Sequence, residues 1–141
     1  MTLSAASWET WILASLLVSA AVIDSRHRII PNPLSALVAL SAFAVAGPSW
    51  NERLLAALSL LVALLAINAV CRRIWDRNGF GMGDVKLLAA LALHLGHEVW
   101  LVTYAAIVLG ALAGLSTRSR TLPFAPWLLV GWVLVGQSGC V

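Results

Sequence analysis

Six apolar runs follow one another along the chain: roughly Trp8 to Ile23, Leu34 to Ala46, Leu54 to Val70, Val85 to Leu95, Val99 to Leu115, and Trp127 to Val135. They are longer than a small soluble core could bury, and they predict an all-α polytopic bundle of about six transmembrane segments. Local signals mark the breaks. Pro31 and Pro33 bracket Asn32, which can cap the second helix while Pro33 takes its first helical position, where a missing N–H costs little. Gly47-Pro48 ends that helix, and Pro123 and Pro126 flank the entry to the last one. Gly110 and Gly114 form a small-xxx-small pair that signals close helix packing. Several runs fall short of the roughly 20 residues that cross a bilayer comfortably. Either flanking Trp, Arg and Glu complete them at the interface, or the fourth run starts inside a protein-lined cavity, where irregular backbone at Gly81 to Asp84 would be tolerated.

Composition agrees with a single integral membrane domain over residues 1–141: 61% of residues are hydrophobic, 11% are charged, and the mean hydropathy is +0.93. The first positive charge is Arg26, so the first run lacks the basic n-region of a secretory signal and reads as a retained span. A net charge of +3 and a pI near 9.5 would suggest nucleic acid in a soluble protein. Here the basic residues sit between apolar runs and report topology instead. Arg26 and Arg28 follow the first run, Arg72, Arg73 and Arg77 the third, and Arg118 and Arg120 the fifth. The positive-inside bias therefore places these three loops in the cytoplasm and both termini outside. The tryptophans mostly flank run ends, as an aromatic belt does. Cys71 and Cys140 match no paired spacing and fall at opposite faces in this topology, so neither a disulfide nor a metal site is expected, and no cofactor.

Candidate chemistry rests on two acids. Asp84 stands in the polar island Gly81-Met82-Gly83-Asp84-Val85-Lys86 that opens the fourth run, and Asp24 ends the first. The topology puts both at the cytoplasmic face, so their side chains can meet if those two helices pack together. Peptide hydrolysis by two carboxylates needs one ionised, to draw a proton from water, and one protonated, to donate to the carbonyl, with the pair later supplying a proton to the leaving group. Repulsion and desolvation in a shared, poorly solvated site enforce that split. Gly81 and Gly83 would let an extended substrate lie beside Asp84, through close backbone approach and dihedrals closed to other residues. The bland alternatives are an interfacial Asp84 near the positive end of its helix and an Asp24 in an exposed ion pair of little energetic value. Lys86 lies two positions from Asp84 and snorkels to the headgroups rather than pairing with it. His94 and His97 are too far along the fourth run to share a metal with Asp84, and His27 reads as a solvated loop residue.

Taken with the turn Ile30-Pro31-Asn32, with Arg26 and Arg28 before it, and with Leu87-Leu88-Ala89-Ala90 after it, this pattern resembles the type IV prepilin peptidases, membrane aspartic proteases of the GxGD class. Pro123-Phe124-Ala125-Pro126 is similar to the family's proline-phenylalanine turn before the last helix. The resemblance covers about residues 10 to 135. It implies that Asp24 and Asp84 form a catalytic dyad, with Gly81, Gly83, Lys86, Pro31, Asn32, Pro123 and Phe124 shaping the site. The substrate would be a prepilin-like protein with a hydrophobic N-terminal helix, cut at the cytoplasmic membrane face of a prokaryote. No insertion separates the first two runs, so the chain looks like the short, peptidase-only members of tight-adherence pilus systems, and the resemblance does not extend to methyl transfer. Small residues such as Ala89, Ala92, Gly110 and Gly114 are candidate positions for docking the substrate helix. Two other classes compete. A proton- or cation-coupled transporter would use the acids as a relay, although the second, fifth and sixth runs carry no ionisable residue in their apolar cores. A structural subunit would tolerate amides at both positions.

Overall fold

The computed structural model describes residues 8–44, 49–76, 80–117 and 123–137, with Trp75, Thr117 and Gln137 described by their backbone alone. Six α-helices and one short turn of 3-10 helix make up these residues: α1 (Trp8–His27), α2 (Asn32–Ala44), α3 (Trp50–Trp75), α4 (Met82–Leu95), the turn Gly96–Glu98, α5 (Val99–Thr117) and α6 (Ala125–Gln137). No strand occurs among the described residues. Gly96 follows α4 and opens the 3-10 turn at φ +60, a conformation that L side chains adopt only with strain.

The helices run past the apolar limits seen in the sequence. α1 continues through Asp24 to His27 and closes with the Arg28 N–H on the Asp24 carbonyl at 2.8 Å. α3 begins four residues earlier than its apolar run and ends five later, where Asp76 in the left-handed region donates to the Arg72 carbonyl. Charged ends cost an interfacial helix little, so hydropathy alone stops short of them. Three stretches are long and apolar enough to cross a membrane: Trp8–His27, Trp50–Ile74 and Met82–Ser116. α2 and α6 have 13 residues each, about 20 Å at the α-helical rise, and are shorter than a hydrocarbon core. Of the expected boundaries and basic loops, Ala46, Gly47-Pro48, Arg77, Arg118, Arg120 and Cys140 lie outside the described residues.

Two compact units share the chain, one formed by Met1–Ile30 with Trp100–Val141 and the other by Pro31–Val99. In the first, α1 packs on α6. Leu13, Leu17, Ala20, Ala21 and Asp24 recur at helical spacing and are all buried, so the acid continues an apolar stripe. Gly131 lets α6 approach α5 closely: a Cβ there would stand 2.9 Å from the Val102 carbonyl oxygen and 3.2 Å from the Ala106 nitrogen. Gly110 faces the Trp127 ring, 3.4 Å from where its Cβ would be.

In the second unit α4 is central and packs on both α2 and α3. Val85, Leu87, Leu88, Leu91 and Ala92 on α4 are fully buried, as are Val38 and Ala42 on α2 and Ala56 on α3. Outward faces remain apolar, with Leu40, Leu55, Leu58, Val62 and Ile74 exposed. A helix apolar on every side suits a lipid environment. Ser41 and Ser59 return their hydroxyls to carbonyls three residues back, those of Val38 and Ala56, at 2.9 Å each, which satisfies these polar groups within their own helices.

Candidate functional site

Asp24 is the one buried carboxylate among the described residues, at 5% exposure. The turn before α6 supplies its partner. Phe124 closes that turn by accepting the Trp127 and Leu128 amides, both at 3.1 Å. Ala125 thereby becomes the first helical residue, whose N–H has no acceptor within its own helix. That N–H donates to Asp24 Oδ2 at 2.9 Å. Pro126, in the first turn, needs no amide partner. The contact sets an acid against the positive end of a helix dipole, and it joins Asp24 to the Pro123-Phe124 turn within one unit.

Asp84 is half-buried and lies in the first turn of α4, inside the helix. The expected irregular backbone at Gly81 to Asp84 is therefore confined to Gly81, the N-cap residue, at φ −63 and ψ 142. Any residue adopts those angles, so special dihedrals are not what glycine contributes here. It contributes space: a Cβ on Gly81 would meet Asp84 Oδ2 at 3.0 Å. The carboxyl group folds back over the N-cap glycine, and Gly83 is an ordinary helical residue beneath it. The Gly81 carbonyl accepts the Val85 amide at 3.1 Å and starts the helix.

Two flanking motif residues are brought together across 54 positions, Lys86 Nζ donating to Asn32 Oδ1 at 3.0 Å. Lys86 is thus bonded to a neutral side chain rather than only extended toward headgroups. Asn32 is likewise not the N-cap of α2. The Pro31 carbonyl accepts the Leu34 and Ser35 amides at 3.1 and 3.5 Å, which makes Asn32 the first helical residue and Pro33 the second. The asparagine oxygen serves the lysine instead.

Between α2, α3 and α4 runs an open groove of about 480 Å³, walled chiefly by Ala36, Ala39, Ala57, Leu58, Ala89 and Leu93, with Asn32, Ser35 and Lys86 also lining it. Ser35 Oγ is buried with no hydrogen-bond partner among the described residues. Of the small residues expected to dock a substrate helix, Ala89 lines this groove. Ala92 is fully buried in the packing of α4, which removes it from any docking surface.

Sequence reasoning missed three residues here. Asn68 on α3, 8% exposed, holds the backbone of Phe80 just before Gly81. His94, also 8% exposed, joins α4 to α2 through Nε2, which lies 3.0 Å from the Val38 carbonyl and 2.9 Å from Ser41 Oγ. The carbonyl can only accept, so Nε2 carries the hydrogen. Gly131 sets the approach of α6 to α5. The available signal was the same for Asn68 and His94: a polar side chain isolated in an apolar run needs a partner.

Residues 11–115 match the family model described as the type IV leader peptidase family. Among curated proteins, the chain is similar to the prepilin leader peptidase/N-methyltransferase of Bacillus subtilis, 30% identical over 91% of this chain and 54% of that one. Proteins of the same name from Pectobacterium carotovorum and Dichelobacter nodosus are each 29% identical, over 91% and 88% of this chain and 50% and 45% of theirs. The chain spans about half the length of the curated relatives it matches. No solved structure matches it.

Proposed function

The chain belongs to the type IV leader peptidase family, and from that premise we propose that it is a membrane aspartic endopeptidase that removes leader peptides from prepilin-like precursors. The observation that carries this reading is the treatment of the two acids. Asp24 is drawn into an apolar helix stripe and given a backbone amide, and Asp84 is folded over a glycine that leaves room for its carboxyl group. Acids in apolar helices carry a desolvation cost, and their presence despite it supports a functional role.

In this reading Asp24 and Asp84 act as a dyad within one membrane peptidase domain. One carboxylate takes a proton from the attacking water while the other, protonated, donates to the scissile carbonyl; as the tetrahedral intermediate collapses, the first gives its proton to the departing amine and the second takes one back from the intermediate's hydroxyl. No metal or cofactor enters the scheme. In the same reading Pro31, Asn32, Lys86, Pro123 and Phe124 shape the site, a role supported by the Lys86–Asn32 bond and by the Phe124 turn that begins the helix whose Ala125 amide Asp24 accepts. Gly81 provides the space beside Asp84, with Gly83 next to it in the helix. The alanine-walled groove is a seat for the substrate's apolar helix, because small side chains let helix backbones approach closely. The proposed setting is the cytoplasmic membrane of a prokaryote, with six segments, both termini outside and the acids toward the cytoplasm. The N-methyltransferase part of the relatives' names is not carried to this chain, and no observation favours the transporter reading.

The test is co-expression with candidate prepilins in a membrane host, reading leader removal at matched expression. Asp24→Asn and Asp84→Asn are each expected to lower cleavage by about a hundredfold to ten-thousandfold, the usual contribution of a positioned acid or base. Parental cleavage by either variant would end the dyad proposal.

A further inference from the structure

α3 carries one polar side chain between Leu60 and Val70, the carboxamide of Asn68, and buries it. Both of its functional groups go to a single residue twelve positions on. Oδ1 accepts the Phe80 N–H at 2.7 Å, and Nδ2 donates to the Phe80 carbonyl at 3.1 Å. The amide orientation is forced, since the reversed rotamer would set donor against donor and acceptor against acceptor. A two-point contact of this kind fixes position and rotation together, because it holds the peptide groups on both sides of Phe80.

The next residue is Gly81. Its carbonyl starts α4, and Asp84 Oδ2 lies 3.0 Å from where a Gly81 Cβ would be. The order of support therefore runs from α3 through Asn68 to Phe80, then Gly81, then Asp84. We propose that Asn68 is a positioning residue for Asp84: its carboxamide docks the start of α4 on α3 and so sets where the acid is presented. This rests on the peptidase reading of Asp84. Asn68 does not touch the reacting atoms in the proposal. It acts through the backbone it holds.

The experiment uses the full chain in membranes and the prepilin that it cleaves best. It compares Asn68→Leu, which removes both hydrogen bonds at similar volume, with Ser41→Ala, which removes a contact of His94 at the other end of α4. Asn68→Leu is expected to lower kcat by about ten- to a hundredfold, the scale of a misplaced catalytic group, with KM within about twofold of the parent. Ser41→Ala should lose stability with kcat unchanged, which separates a generally loosened fold from a displaced acid. If Asn68→Leu does not accumulate, Asn68→Gln, which keeps the amide on a longer arm, is expected to show an intermediate kcat. Hydrogen exchange over residues 80–86 gives a readout independent of cleavage, and the Phe80 amide should exchange about tenfold faster in Asn68→Leu.

Unchanged exchange overturns the clamp. Faster exchange with parental kcat overturns the positioning role while leaving the peptidase reading intact. If the parent cleaves no prepilin, or Asp84→Asn cleaves as the parent does, the peptidase reading fails and the positioning proposal falls with it.

Discussion

Asp24 and Asp84 are held by different means in the two units. Asp24 takes its amide from Ala125, 101 positions away, so its surroundings exist only when α6 has packed on α1. Asp84 is shaped by Gly81, three residues before it, and by a backbone turn tied to the preceding helix. The Asp24 contact thus depends on the packing of α6, and the Gly81 contact of Asp84 on residues close in the chain. Substitutions that move helices should reach Asp24 first, whereas substitutions that leave the fold intact can still disturb Asp84.

The strongest test of this contrast is Gly131→Ala. The added methyl would lie 2.9 Å from the Val102 carbonyl oxygen, and that backbone atom cannot rotate aside. α6 must shift from α5, destabilising the protein by about 1–3 kcal/mol, the usual range for overpacking. Ala125 should move with it, so thermal unfolding is expected at lower temperature and cleavage per folded molecule at least about tenfold lower. Unchanged values of both would break the claim that packing holds Asp24.

Gly81→Ala should behave in the opposite way. The N-cap angles accept alanine, and the lost preference for glycine as a cap offsets the reduced freedom of the unfolded chain. Stability should therefore stay within about 1 kcal/mol of the parent. The methyl would meet Asp84 Oδ2 at 3.0 Å, and the flexible carboxyl group gives way. Cleavage about tenfold lower with little change in melting temperature is the expected result; parental cleavage would show that the space above Gly81 is not used.

Ala125→Pro sharpens the comparison by replacing the donating hydrogen with a ring carbon, which also crowds Asp24 Oδ2, 2.9 Å from that nitrogen. Proline suits the first position of α6, but it cannot donate to Asp24. The lost bond costs about 1–3 kcal/mol if the acid finds no other donor. A severalfold loss of cleavage with α6 intact by circular dichroism would show that the Asp24–Ala125 contact matters to the reaction, and full activity would show that it does not.

Much of this was legible in the sequence. Asp24 and Asp84 stand out because each interrupts or ends an apolar run, and the six helices follow the six runs with ends displaced by a few residues. Helix ends were less legible because α1 and α3 carry their basic last turns beyond the apolar stretch. The irregular start expected for the fourth run proved to be the first turn of α4, since a Gly-rich run can enter a helix as easily as delay it. The partners were not legible. Nothing near Asp24 in sequence points to Ala125, and Asn32 looked like a cap for its own helix until Lys86 was found on its oxygen. Gly131 carries no chemical signal at all, only the absence of a side chain where two backbones approach.

The tether at the far end of α4 has a further consequence. His94 joins that end to α2 while Asn68 anchors the approach to the other, so the helix is a beam pinned at both supports. A pinned beam resists sliding along its axis and tilting about either end. In the peptidase reading, accommodation beyond the rotation of the Asp84 carboxyl group would then fall to the incoming chain, which would favour ligands whose backbone is already extended or easily unwound over rigid helices of similar sequence.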